Sequence, residues 1–337
     1  MISTLPLSPS VMKVAQFLDC NEQLVMSFLD AHGVPFKWLF SENWNFYYRS
    51  LDSFASSPSL KPRRSNLDAY HESDLWRNLE RFFQVRAIRY RNEPLRPLVR
   101  SAVERGSCLY TLARLHFIPW HSLYGSGSFG THFFVINGID EARNQYHVVD
   151  WSPYHVGWVD ASIIEEGHAY RSYCYELSTP VMPELDEALL VSQLRTCQAH
   201  MRGEIREEYA SGLHGLERMH ADVQRLNPDI DFLVSVWDRM KDVVETREGF
   251  TEFIHSVKDD ARFAGILDQE LCDTLYETIN MWYTFRNGAM KAKMLGRSAI
   301  EPHMRRLASI VELERECERQ LDRVLKHSES GLVRNGN

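Results

Sequence analysis

The segment "STPVMPELDE", residues 178 to 187, divides the chain more sharply than any other. It carries Pro180 and Pro183, which have no amide hydrogen to give a helix or a ladder, so neither kind of element runs through it. Before it, aromatics, glycines and β-branched runs alternate with short helical patterns. After it, "ELDEALLVSQLRTCQAHMRGEIREEYASGLHGLERMHADVQRL" continues for about forty residues with few breakers. Apolar residues recur at helical spacing up to Met304, Leu307, Ile310, Val311, Cys317, Leu321 and Leu325. A chain divided this way is an α+β protein, with a mixed domain over 1–180 and a bundle of four or five helices over 181–337.

In the first part, strands are expected at 107–113, 132–138, 146–151 and 172–177, and helices at 20–31, 74–85 and 94–104. No apolar run approaches the ~18 residues that a bilayer span needs. A net charge of −8 argues against a general nucleic-acid binder. Six scattered cysteines form no C-x-x-C pair, which fits reduced thiols in a cytoplasmic protein without structural zinc. His116, His121, His147, His155 and His168 crowd one region without ligand spacing, so no metal and no cofactor are expected.

The stretch "VAQFLDCNEQLVMSFLDAHGVP", residues 14 to 35, opens a helix with the capping pair Asp19 and Glu22. Cys20 then stands at the first helical position, where the helix dipole favours a thiolate. A cysteine nucleophile needs a base, and the base needs an orienting group. The hairpin "THFFVINGIDEARNQYHVVDWSP", residues 131 to 153, can supply both in His132 and Asp150. A three- or five-residue turn puts these two on the same face of the ladder, and a four-residue turn puts them on opposite faces. The alternative is a satisfied strand-end histidine and an aspartate that opens the "DWSP" turn.

The chain also resembles a known family. "DCNEQLVMSFLDAHGVPF" is similar to the nucleophile helix of the butirosin biosynthesis protein H family, a papain-like group found with antibiotic and siderophore assembly lines. "LVRSAVERGSCLYTLARLHFIPWHSLYGSGSFGTHFFVINGIDEARNQYHVVDWSPYHVGWV" follows that family's order. It has a helix, a Gly before a strand, an aromatic-Pro segment, a glycine-rich gap, His-aromatic-x-Val before Gly-x-Asp, and then a Val-Asp strand. Bacteriocin-processing cysteine peptidases share the same half-motif. The resemblance covers about residues 14 to 180 and implies a papain-like catalytic domain with Cys20 as nucleophile, His132 as base and Asp150 as orienter. The family pattern has a Gln six residues before the Cys as oxyanion donor. Val14 stands at that position here, and Gln16, four before, is the substitute candidate.

The family's chemistry implies a cysteine acyltransferase that moves an acyl or peptidyl group from a carrier-protein thioester to a small amine, in antibiotic or other secondary metabolism. Hydrolysis, peptide cleavage, offloading cyclisation and a non-catalytic scaffold are the alternatives. Carrier proteins are acidic and present a phosphopantetheine arm. From Lys61 to Arg105 the chain has eleven Lys/Arg against six Asp/Glu, a net of +5. Arg86, Arg89, Arg91 and Arg96 are therefore the candidate dock for such a partner, with a solvated helix face as the plainer reading. The helical part is expected to cover the site, bind the partner or pair with a second copy.

Overall fold

The computed structural model describes residues 18–44, 46–48, 74–169, 173–203, 205, 210–226, 237–296 and 301–335, together with Val11 and Lys13. The chain is mixed helix and sheet, α+β. It forms two compact units, Met1–Phe36 with Trp76–Pro183, and Lys37–Leu75 with Glu184–Asn337.

The first unit is built on a six-stranded, wholly antiparallel sheet. Its strands are β1 (Ala87–Arg91), β2 (Leu109–Arg114), β3 (Thr131–Asp140), β4 (Gln145–Trp151), β5 (Tyr154–Asp160) and β6 (Tyr173–Leu177), in the spatial order β1-β6-β2-β3-β4-β5. Its helices are α1 (Cys20–Ala31), α2 (Asp74–Phe83), α3 (Leu95–Glu104) and α4 (Ala161–Ala169). Val99 and Ala102 of α3 and Ile164 of α4 are buried against Phe134, Ile136 and Val148 of the sheet. The strands expected from alternation are β2, β3, β4 and β6. The two not expected, β1 and β5, are the sheet edges. Edge strands carry charge and exposed side chains, which breaks the apolar alternation that marks a strand in sequence. "AIRYR" and "YHVGWVD" are of that kind.

The β3–β4 hairpin settles the question of faces. Its connection has four residues, Glu141 to Asn144, and Asp140 pairs with Gln145. A regular ladder from that turn would send His132 and Asp150 to opposite faces. Between Ile136 and Gly138 the register shifts at a β-bulge, so that Ile136 pairs with Val148 while Gly138 pairs with His147. The extra residue, Asn137, is buried, and its Oδ1 lies 2.7 Å from His147 Nδ1. Beyond the bulge Val135 pairs with Val149, which brings His132 and Asp150 to the same face on a diagonal.

The second unit has five α-helices among its described residues: α5 (Glu187–Arg202), α6 (Gly212–Leu226), α7 (Trp237–Lys258), α8 (Gln269–Met294) and α9 (Glu301–Asn335). In α9, Leu307, Ile310, Val311, Cys317, Leu321 and Leu325 are all buried, as their spacing predicts. The forty-residue helical run is broken in the middle. Gly203 has φ +72°, and a Cβ there would sit 2.0 Å from the Ser211 carbonyl oxygen. Only glycine permits that approach, so the chain turns away before α6.

The unit boundary also differs from the expected 1–180 and 181–337, because Lys37–Leu75 belongs with the helices. The reason lies in buried contacts. Tyr47–Tyr48 pairs as a short strand with Ala210–Ser211. The Tyr48 hydroxyl donates to Asp222, 3.0 Å away. Glu314 is buried and accepts from four donors: Trp44 Nε1 at 3.0 Å, Trp282 Nε1 at 2.7 Å, Arg247 Nε at 3.0 Å and Arg247 Nη2 at 2.8 Å. No helix of the described residues is long and apolar enough to cross a membrane.

Candidate active site

Cys20 opens α1 for a local reason. Asp19 is the N-cap, its carboxylate accepting from the Glu22 amide at 2.8 Å while Glu22 accepts from the Asp19 amide at 3.0 Å. This closes the capping box read from the sequence and fixes the first turn. Among the six cysteines Cys20 alone is not buried. Burial pushes the thiols of Cys108, Cys174 and Cys317 up to about 12, and raises those of Cys197 and Cys272. Five thiols are thereby kept neutral, and the sixth meets solvent at a helix start.

α1 packs against β3 and β4, and Cys20 lies close enough to His132 to help raise the pKa of its ring. His132 is 6% exposed and Asp150 1%. The His132 Nε2–H donates to Asp150 Oδ2 over 2.8 Å. With Nε2 taken, Nδ1 is the nitrogen left for the Cys20 sulfur. Asp150 is held in turn by two more donors, Trp120 Nε1 to Oδ2 at 2.7 Å and the Ser152 amide to Oδ1 at 3.2 Å. His155, opposite Asp150 in the ladder, stacks on the Trp120 indole with centroids 4.5 Å apart and planes 9° apart.

These contacts set the charge on His132. Burial alone would lower its pKa. The hydrogen bond to Asp150, the nearness of Cys20 and the charges of both outweigh burial and raise it from 6.5 to about 10. The ring therefore carries its proton through neutral pH, between a carboxylate and a sulfur. His121 lies beside it, with ring centroids 5.8 Å apart. The Leu123 amide donates to His121 Nδ1 at 3.1 Å, which puts the proton of the neutral ring on Nε2. Burial, and then the charge on His132, lower the His121 pKa. A thiol beside an imidazole that is hydrogen-bonded to a doubly anchored carboxylate can attack an acyl carbon and shuttle one proton.

The arrangement brings together three of the residues expected from sequence, Cys20, His132 and Asp150. Gln16 lies outside the described residues. The four arginines do not present one unpaired basic surface. Arg86 pairs with Glu80 at 3.0 Å, and Arg96 pairs with Glu165 at 2.9 Å and Glu141 at 3.3 Å. Arg91 lies over the Tyr173 ring at 5.6 Å, and Arg89 is half-buried on the same strand. Arg86 is thus answered by a carboxylate of the same stretch, and Arg96 by two that are distant in sequence. Sequence reasoning missed Trp120 as an anchor of Asp150 and His121 as the neighbour of His132. The "FIPW" segment was the available signal for the first. Among the described residues no group of three His, Cys, Asp or Glu side chains converges as a metal site. No protein-family model and no curated protein matches the chain.

Proposed function

We propose that this protein is a cysteine-dependent acyltransferase, with the first unit as a papain-like catalytic unit. The observation that carries the reading is the half-buried Cys20 at the start of α1 beside His132, whose ring is hydrogen-bonded to Asp150. A histidine beside a cysteine is the arrangement in which an imidazole can hold and return the proton that nucleophilic attack by sulfur requires. Cys20 Sγ attacks the carbonyl carbon of a thioester. The acyl–sulfur bond to the enzyme forms, the bond to the donor thiol breaks, and His132 gives its proton to the departing thiolate. An amine then attacks the S-acyl enzyme, His132 takes the amine proton, and the amide leaves with Cys20 restored. The Cys20 backbone N–H, at the start of α1, is the donor available to the tetrahedral oxyanion. Asp150 keeps the imidazole oriented and Trp120 keeps Asp150 in place.

The donor and acceptor classes, a carrier-protein thioester and a small amine, come from the family resemblance of residues 14 to 180. The test is single-turnover kinetics with an acyl-loaded carrier protein, with and without added amines. Amide formation that depends on both Cys20 and the amine supports transfer. Free acid at the same rate whether or not amine is present makes the protein a thioesterase. No consumption of any thioester removes the acyltransferase reading.

A further inference from the structure

Between Trp120 and the start of β3 the chain reads "HSLYGSGSFG", residues 121 to 130. It runs directly into Thr131 and His132, and its first residue is the His121 whose ring neighbours His132. Three large apolar side chains on it face water. Phe129 is 84% exposed, Tyr124 49% and Leu123 39%. Isolated exposed apolar residues need no explanation, but several on one short segment beside a reactive centre do.

The segment is firmly held. Arg114 donates to the Ser128 carbonyl at 2.7 Å and the Gly127 carbonyl at 3.0 Å, and its guanidinium lies 4.2 Å over the Phe129 ring. The Gly127 amide donates to His116 Nδ1 at 2.8 Å, and the Gly125 amide to the His116 carbonyl at 3.0 Å. The Ser126 hydroxyl donates to the Leu123 carbonyl at 2.6 Å. Gly125 and Gly127 have positive φ, which lets the loop fold back on itself. These bonds fix the backbone while leaving the three apolar side chains outward. Residues 121 to 130 contain no Asp, Glu, Lys or Arg, and the nearest guanidinium, Arg114, is engaged by the loop itself. The exposed apolar residues of β5 do not share the position. Tyr154, Val156 and Trp158 alternate with His155 along β5, and it is His155 that stands opposite Asp150, so they lie on the other face.

We propose that residues 121 to 130 form the acyl-binding lip of the site, and that the acyl group it accepts is uncharged and apolar, lying along Leu123, Tyr124 and Phe129. This rests on the acyl-transfer reading above and adds the class of acyl group to it. A chain that buries one side against the loop gains about twofold in binding per methylene, half the logarithmic gain of full burial. Hexanoyl exceeds acetyl by four methylenes, so kcat/KM for Cys20 acylation should rise about fifteenfold between the two.

The test uses acetyl and hexanoyl thioesters of N-acetylcysteamine on the full chain, read as the ratio of the two kcat/KM values. In Phe129→Ala and Leu123→Ala the ratio should fall to about threefold or less, and Phe129→Leu should keep most of it. Ile88→Ala, an exposed apolar position on the far sheet edge, should leave the ratio alone. A ratio near one in the unmodified protein, or a ratio unchanged in the Phe129 and Leu123 variants, overturns the proposal. The amide analogue N-acetyl-N′-hexanoylethylenediamine, in which NH replaces the thioester sulfur so that no acyl transfer occurs, separates this from failure of the acyltransferase reading. If no thioester acylates Cys20, the reading of the reaction falls. The lip then stands only if the analogue binds and Phe129→Ala weakens it at least fivefold, and equal binding or no binding overturns the lip as well.

Discussion

Replacing Asp150 with Asn keeps the size of the side chain and removes its charge. In the wild type, Oδ2 accepts from both His132 and Trp120 and Oδ1 accepts from the Ser152 amide. An asparagine can put its one oxygen toward two of these donors, but its amide hydrogens then face the third. His132 meanwhile loses its larger counter-charge and keeps its burial. The wild-type ring holds its proton from 6.5 up to about 10. At about 1.4 kcal/mol per pH unit, that preference is on the order of 5 kcal/mol, shared between Asp150 and Cys20. The sign follows from linkage. A raised folded-state pKa contributes stability that is full below about 6.5 and is lost as pH rises through about 10. Wild-type stability from urea unfolding should therefore fall between pH 7 and pH 10, and Asp150→Asn should lose several kcal/mol at pH 7 and show little of that slope. NMR titration should find the His132 ring pKa well below its wild-type value, because burial is then opposed by Cys20 alone. Acylation should slow on the order of 10²- to 10⁴-fold, as when the orienting carboxylate of such a triad is replaced. A His132 that still titrates near 10 in the variant, with an unchanged stability slope, would refute the assignment of its charge to Asp150.

Trp120→Phe removes one charged hydrogen bond from Asp150 and keeps the ring against His155. Acylation should slow about tenfold, matching the ~1.5 kcal/mol lower end for a bond to a charged group, with the pH profile shifted and the melting temperature little changed. A wild-type pH profile in this variant would make Trp120 a packing residue only. In the helical unit, Glu314→Gln leaves the buried Arg247 without its counter-charge and should lower stability by about 3–5 kcal/mol in chemical denaturation. A change under about 1 kcal/mol would mean that the network is more hydrated than its burial indicates.

The elements that carry the candidate site were legible because their signals are local. The Asp19–Glu22 capping pair announces α1 to the residue, and the apolar alternation of "HFFVING" and "YHVVDW" marks β3 and β4. The pairing of His132 with Asp150 was not decidable at that stage, because face depends on the parity of the whole ladder. A four-residue turn read alone gives the wrong parity, and the bulge at Asn137 restores it. Nothing in "FFVINGID" identifies which residue will be left out of the ladder. Trp120 was hidden for a different reason, since a tryptophan that donates to a buried carboxylate has the same sequence appearance as one that fills a core. The basic stretch looked like a patch in part because the partners of Arg96, Glu141 and Glu165, lie outside it in sequence. Lys37–Leu75 joined the helical unit through Trp44 and Tyr48, whose acceptors Glu314 and Asp222 lie 270 and 174 residues on.

The most direct test of the central claim is intact-mass and peptide-mapping mass spectrometry of the protein after brief exposure to an acyl-loaded carrier protein. A single acyl adduct is expected on the peptide that contains Cys20, absent in Cys20→Ala, absent in Cys20→Ser because a hydroxyl is far less acidic, and strongly slowed in His132→Ala. An adduct on any other residue, or an adduct of equal yield in Cys20→Ala, would contradict it.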